Sequence, residues 1–171
     1  MKINTKELTL VALFLALCII IPLIFHFFAA GTIFLPMFIP ILVSALILRF
    51  PYGLVVGVLG PYISSLTTGM PPLFPMAILM SVEGLFMAVV AGYLYRIRKY
   101  SAFLSVLFAM ILDRMILFVM VISIAPLLGL PPKMFSLISI LYSMPGVILQ
   151  LVLVPYLVAT LERSRISLLN Y

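Results

Sequence analysis

Charge is what this chain has least of. Only 8% of its 171 residues are charged, against 66% that are hydrophobic. Soluble domains run at about 25% charged and about 45–50% apolar. A chain with this balance cannot stay in water, so it is read as an integral membrane protein. Cysteine is nearly absent as well. Cys18 stands alone, which excludes an intramolecular disulfide, and no Cys/His cluster is available to hold a metal. None of the four lysines follows a glycine, so no P-loop can form, and HExxH and GxSxG are missing. No lysine or histidine is set beside a serine in a way that marks a nucleophile and its base. The chain is therefore not expected to be an enzyme, and any uphill transport must draw on ATP hydrolysis in another subunit or on an ion gradient. Six spans leave little room for the inverted repeat of a secondary transporter, and no internal repeat stands out.

What the chain does have is long apolar runs. A membrane β-barrel alternates over segments of about 10 residues, whereas these runs are continuous, so helices are expected. Six spans are read at about 8–28, 33–48, 52–68, 76–95, 101–125 and 138–161, each near the length a bilayer core demands. Together they form one membrane domain over residues 1–171. The second and third are short and rich in proline and glycine, with Arg49–Gly53 read as a tight turn between them. Pro61 should kink or break the third span, because it lacks a backbone donor. The first run is too long for the apolar core of a cleavable signal peptide.

The net charge of +6 reports loop asymmetry rather than nucleic acid. With the N-terminus inside, the inner side holds Lys2, Lys6, Arg49, Arg96, Arg98, Lys99, Arg163 and Arg165, and the outer side only Lys133. A bias of eight to one places both termini in the cytoplasm. The outer connections, 29–32, 67–75 and 126–136, are apolar, proline-rich and almost uncharged. They are suited to fold over the outer end of the bundle as a lid, or to pack as re-entrant backbone without a ligand.

His26, Glu83, Asp113, Arg114 and Gln150 fall inside apolar spans. An ionised group at the bilayer centre costs roughly 2.5–3.5 kcal/mol on insertion scales, so such residues normally face the bundle interior and mark function. Asp113 and Arg114 point about 100° apart on a helix, which favours pairing Arg114 with Glu83 across helices. The plainer alternative is an ion pair that only fastens the bundle. Met37, Met70, Met76, Met80, Met134 and Met144 gather towards the outer half, where methionine lines adaptable apolar surfaces. His26, without a second metal ligand, is read as a gate or hydrogen-bonding residue.

Small residues recur at four-residue spacing: Ala12 and Ala16, Gly53 and Gly57, then Gly84, Ala88 and Gly92. This spacing lets helix backbones approach closely in lipid. Periodicity alone does not say which of these faces meets a foreign helix.

Taken together, these features resemble the substrate-binding S component of energy-coupling factor (ECF) vitamin transporters. The likeness covers nearly the whole chain. It rests on length, six spans, inside termini, Ala12-x-x-x-Ala16, Gly31-Thr-Ile-Phe-Leu-Pro-Met-Phe-Ile-Pro40, Ser64-Ser-Leu-Thr-Thr-Gly-Met-Pro-Pro72, Glu83-Gly84, Arg114 and Pro145-Gly-Val-Ile-Leu-Gln150. Phe38 departs from the pattern, which has a histidine there. The resemblance implies that Ala12 and Ala16 form a strip against the coupling helices of a transmembrane T component joined to two ATPases. It implies a vitamin held near the outer face and delivered when the whole subunit topples in the membrane. On this reading Glu83, Asp113, Arg114 and Gln150 belong to the pocket, with His26 and Met70 at the lid. The Gly-Met-Pro-Pro loop and the Pro-Gly…Gln run are similar to the pantothenate-type branch. A cobalamin-type or queuosine-type compound stays open as substrate. An anionic vitamin could use Arg114 or Lys133, but Glu83 and Asp113 offset those charges. A non-transport scaffold subunit of the rod-shape-determining type is the alternative; it requires the buried polar groups to be paired internally and no cavity at the outer end, whereas the transporter requires a closed pocket under the outer loops.

Overall fold

The helices begin and end where proline and glycine interrupt the apolar runs. A computed structural model of the chain describes residues 5–27, 31–124 and 142–163. Lys2, Lys133, Met134, Arg165 and the outer connection 126–136 lie outside them. The described residues form α1 (Thr5–Phe27), α2 (Gly31–Phe34), α3 (Phe38–Ile47), α4 (Phe50–Thr68), α5 (Ile78–Gly92), α6 (Ala102–Val119) and α7 (Met144–Arg163). Wide π turns extend α5 at both ends, giving one stretch Leu73–Ile97, and Met120–Ile124 extends α6 in the same way. Among the described residues, five helices are long and apolar enough to cross a membrane. The protein is an all-α, multi-pass membrane protein.

The second expected span departs from its reading. It is two helices broken at Leu35-Pro36-Met37, and the longer, α3, has 10 residues. At 1.5 Å per residue that is about 15 Å, half of a bilayer core. The break follows from Pro36, which disfavours the right-handed helical region for the residue before it; Leu35 takes φ 46°. Pro40 is harmless in the first turn of α3, where its missing N–H would have had no helical acceptor. Every residue from Phe38 to Leu46 is buried. α3 packs on α1, α4, α5 and α7, so a helix too short to span the bilayer is the centre of the bundle. A helix apolar on all sides is what such a position requires. Phe38, the departure noted above, belongs to this core.

Two further expectations are corrected at α4. Only Leu48 and Arg49 separate α3 from α4, and Phe50–Gly53 are helical. Pro51 sits in the first turn, where its fixed φ suits a helix start. Nor does Pro61 end the helix, which runs on to Thr68. Its missing N–H would leave the Gly57 carbonyl without a helical donor. That carbonyl lies against α5 instead, so close that a methyl added to Gly84 would sit 2.5 Å from Gly57 O. Neighbouring helices commonly offset proline in this way within membranes. The approach is reciprocal, since a methyl on Gly57 would sit 2.6 Å from Gly84 O. Gly53 is nearly as tight on the Ala45 backbone of α3, where an added methyl would sit 2.8 Å from Ala45 Cα. Thus Gly53, Gly57 and Gly84 all serve packing inside the bundle. The lone cysteine does too: Cys18 is buried and its Sγ would lie 3.0 Å from a methyl on Gly60.

The inner end is tied by polar contacts. Arg96 donates from Nε to the Leu46 carbonyl at 3.0 Å and from Nη2 to the Ile47 carbonyl, capping the C-terminus of α3. Glu7 of α1 is fully buried, its Oε1 3.7 Å from Arg49 Nε. Tyr95 donates to Glu162 Oε1 at 2.6 Å, joining the end of α5 to α7. α1 buries a stripe of Glu7, Val11, Phe14 and Cys18. Ala12 is exposed and Ala16 half-buried, beside the exposed Leu8, Leu13 and Ile20.

Candidate functional site

The buried charges lie where α5 and α6 pack together and α6 meets the start of α7. Glu83 comes from α5, and Asp113 and Arg114 are consecutive on α6. Glu83 is 5% exposed and Asp113 1%. The expected pairing of Arg114 with Glu83 is overturned. Arg114 folds back onto its own neighbour, donating to Asp113 Oδ2 from Nη2 at 2.6 Å and from Nε at 3.0 Å. The 100° between adjacent helix positions separates their Cβ atoms but not the tips of their side chains. A guanidinium on a three-carbon stem spans that offset, and its fork can set two donors on one carboxylate. The third nitrogen, Nη1, donates to Ser143 Oγ at 2.6 Å. Arg114 therefore fastens α6 to the entry of α7 as well as neutralising Asp113.

Glu83 is left without that partner. Its Oε1 has no hydrogen-bond partner among the described residues, and neither has Asp113 Oδ1 or Ser81 Oγ. Buried polar atoms are overwhelmingly hydrogen-bonded in native proteins, so each exception calls for an explanation. Two carboxylates stand against one guanidinium here, so acceptors exceed donors. The chemistry this arrangement can perform is to receive N–H or O–H groups from a ligand.

Gln150 reaches the start of the central helix. Its Nε2 donates to the carbonyls of Phe34 and Leu35, both at 3.2 Å, at the break between α2 and α3. Gly146, one turn earlier on the same face of α7, lets the helix approach that break. A methyl there would sit 2.7 Å from Ile33 O and Phe34 O. The Pro145-Gly…Gln150 run thus clamps the joint that starts the central helix, and Gln150 Oε1 remains buried without a partner among the described residues. Replacing Gln150 by leucine is expected to lower stability by about 1–3 kcal/mol, the cost of leaving buried acceptors unmatched. Thermal unfolding in detergent reads this, and an unchanged midpoint would mean that other donors serve those carbonyls.

His26 is exposed in the last turn of α1, and Met70 is exposed just after α4. The turn holding Met70 is ordered locally. Gly69 takes φ 75°, a left-handed cap, and the Met70 carbonyl accepts from Ser64 Oγ at 2.8 Å and Thr68 Oγ1 at 3.1 Å. Among the outer methionines, Met37 is buried, Met76 and Met80 are half-buried and Met144 is exposed.

Ser81 and Ser143 were missed in the sequence reading. Ser81 carried a faint signal, a small polar residue two positions before Glu83 in an apolar run. Ser143 sits just before Met144-Pro145, where serine reads as an ordinary helix-entry residue.

A sequence model of one family, described as ECF transporter, substrate-specific component, matches residues 6–158. No curated protein and no solved structure matches the chain.

Proposed function

The chain belongs to the substrate-specific components of ECF transporters, and on that premise we propose that it captures one water-soluble vitamin or vitamin precursor from the outer side and delivers it by toppling against a T component. Substrate-specific components are transporter subunits and not themselves enzymes. On this reading, ATP is hydrolysed by two ATPase subunits joined to the T component.

The observation that carries the binding reading is the set of unpartnered oxygens on Ser81, Glu83 and Asp113. The scaffold alternative needs the buried groups paired internally; Asp113 Oδ2 is met by Arg114, but Asp113 Oδ1, Glu83 Oε1 and Ser81 Oγ have no partner among the described residues. A ligand with hydroxyl or amide donors supplies what they lack, and each bond to a charged acceptor contributes about 1.5–3 kcal/mol. Arg114 supplies the one strong donor set and can meet a carboxylate or carbonyl on the same ligand. A hydroxylated, amide-bearing acid of the pantothenate type offers both kinds of group. Cobalamin-type and queuosine-type compounds, also rich in donors, remain within the same chemistry. His26, Met70 and the outer connections would close the site, and Gln150 would hold the α2–α3 joint beneath it.

Native mass spectrometry of the full chain purified in mild detergent is expected to show one co-purified small molecule. With that compound in hand, Glu83→Gln and Arg114→Gln should each weaken binding about 10–100-fold in calorimetry, the loss of one or two charge-assisted bonds. Unaltered affinity in both variants would assign these residues to holding the bundle and not the ligand.

A further inference from the structure

The membrane-facing side of α5 and α6 carries an open groove of about 490 Å3, lined almost wholly by apolar atoms. Its walls include Val90, Tyr93 and Leu94 from α5 and its C-terminal turn, Tyr100 from the turn before α6, and Phe108 and Leu112 from α6. The groove begins at the inner ends of the two helices and reaches Met115. From Tyr100 to Met115 is about 20 Å along a helix, close to the depth of one leaflet's hydrocarbon, about 15 Å, with its interface.

A lipid-exposed surface need not be concave, and apolarity alone does not name an occupant. The turn at the inner mouth does. Arg98 and Lys99 connect α5 to α6, both exposed, and neither forms an ion pair among the described residues. Lys99 sits at φ 60°, the left-handed region that a lysine rarely adopts. Two backbone bonds hold the turn there: Arg98 N donates to the Tyr93 carbonyl and Tyr100 N to the Leu94 carbonyl, both at 3.0 Å. The groove's own carbonyls thus fix the backbone of the turn that carries these two cations at its inner end, with the exposed Tyr93 and Tyr100 beside them. Basic pockets between helices on the cytoplasmic side are suited to anionic head groups, and tyrosine favours this interfacial depth.

We propose that the α5–α6 groove binds a single anionic phospholipid of the inner leaflet, with an acyl chain along Phe108 and Leu112 and its phosphate at Arg98 and Lys99. The site is separate from the buried charges and from Ala12 and Ala16 on α1, none of which line it. A lipid held here leaves the docking strip free.

The test is native mass spectrometry of the full chain in detergent with added phosphatidylglycerol or phosphatidylcholine of matched chains. Phosphatidylglycerol is expected to bind about 30-fold more tightly, the effect of two basic residues at a membrane surface. Replacing both Arg98 and Lys99 by glutamine should bring it to the phosphatidylcholine level without moving the unfolding midpoint in lipid-free detergent. Arg163→Gln, an exposed inner charge away from the groove, should leave the preference intact, and Leu112→Trp, which fills the groove, should weaken both lipids. Equal binding of the two lipids, or a preference that survives the double substitution, overturns the proposal. So does a photocrosslinker at Phe108 that captures a protein instead of a lipid in native membranes.

Discussion

Replacing Ala12 and Ala16 together by leucine is expected to reduce uptake to background while the purified chain binds its vitamin with unchanged affinity. The reason lies in where these two residues stand. Small residues four apart permit close helix contact, and this chain uses several such faces internally. Gly53 meets Ala45, and Gly57 meets Gly84, at separations that admit no side chain. Ala12 is exposed and Ala16 only half-buried, on a helix whose buried stripe runs through Val11, Phe14 and Cys18. Larger side chains at these positions extend into lipid, where leucine is at home, so the fold should be spared. Only a helix that must approach α1 closely would register the change. Uptake in cells, co-purification of the T component and calorimetry on the isolated subunit measure the three parts separately. Unchanged uptake would remove the docking role, and loss of vitamin binding would point to damage within the bundle.

A single methyl group at Gly84 should be nearly as harmful, by the opposite route. Gly84→Ala places Cβ 2.5 Å from Gly57 O, and that oxygen belongs to a backbone which cannot swing aside. α4 and α5 must separate, at a cost at or above the usual 1–3 kcal/mol for overpacking, about the largest that a one-carbon change brings. The same separation would disturb Glu83, the preceding residue, so ligand affinity should fall as well. Gly31→Ala is the internal control, because a methyl there meets nothing within 4 Å among the described residues. Thermal unfolding in detergent should show a large loss for the first and almost none for the second. Equal midpoints would mean that α4 and α5 have slack which their backbones do not display.

These expectations indicate how far the sequence could be read. The membrane class and helical character were legible because hydropathy summed over about 20 residues is a property of a continuous segment. The ECF family was legible for a related reason, as its features run from the first helix to the last. The break in the second segment was half legible. Pro36 and Pro40 are visible in the chain, but the complete burial of α3 depends on α1, α4, α5 and α7 closing around it. That Pro61 would not break its helix was hidden, because its cost depends on the carbonyl it frees, and that carbonyl rests against another helix. The charged residues were found by composition alone, since a charge in an apolar run is conspicuous. Their pairing was not found, because rotation about a helix axis describes Cβ directions and not the reach of an arginine.

By itself, then, the sequence determined what is written along one segment at a time: a bundle of apolar helices, the loops that carry positive charge, the few polar groups taken into the membrane and the set of small-residue faces. Tertiary structure alone decided how those pieces were used. It placed the short α3 at the centre, joined Arg114 to Asp113 and Ser143, assigned Gln150 to the α2–α3 joint, and consumed the glycine faces of α4 and α5 while leaving Ala12 exposed. The physical reason is that burial and pairing depend on atoms far apart in the chain. A spacing of four residues reads the same whether its face is filled by a neighbouring helix or left open.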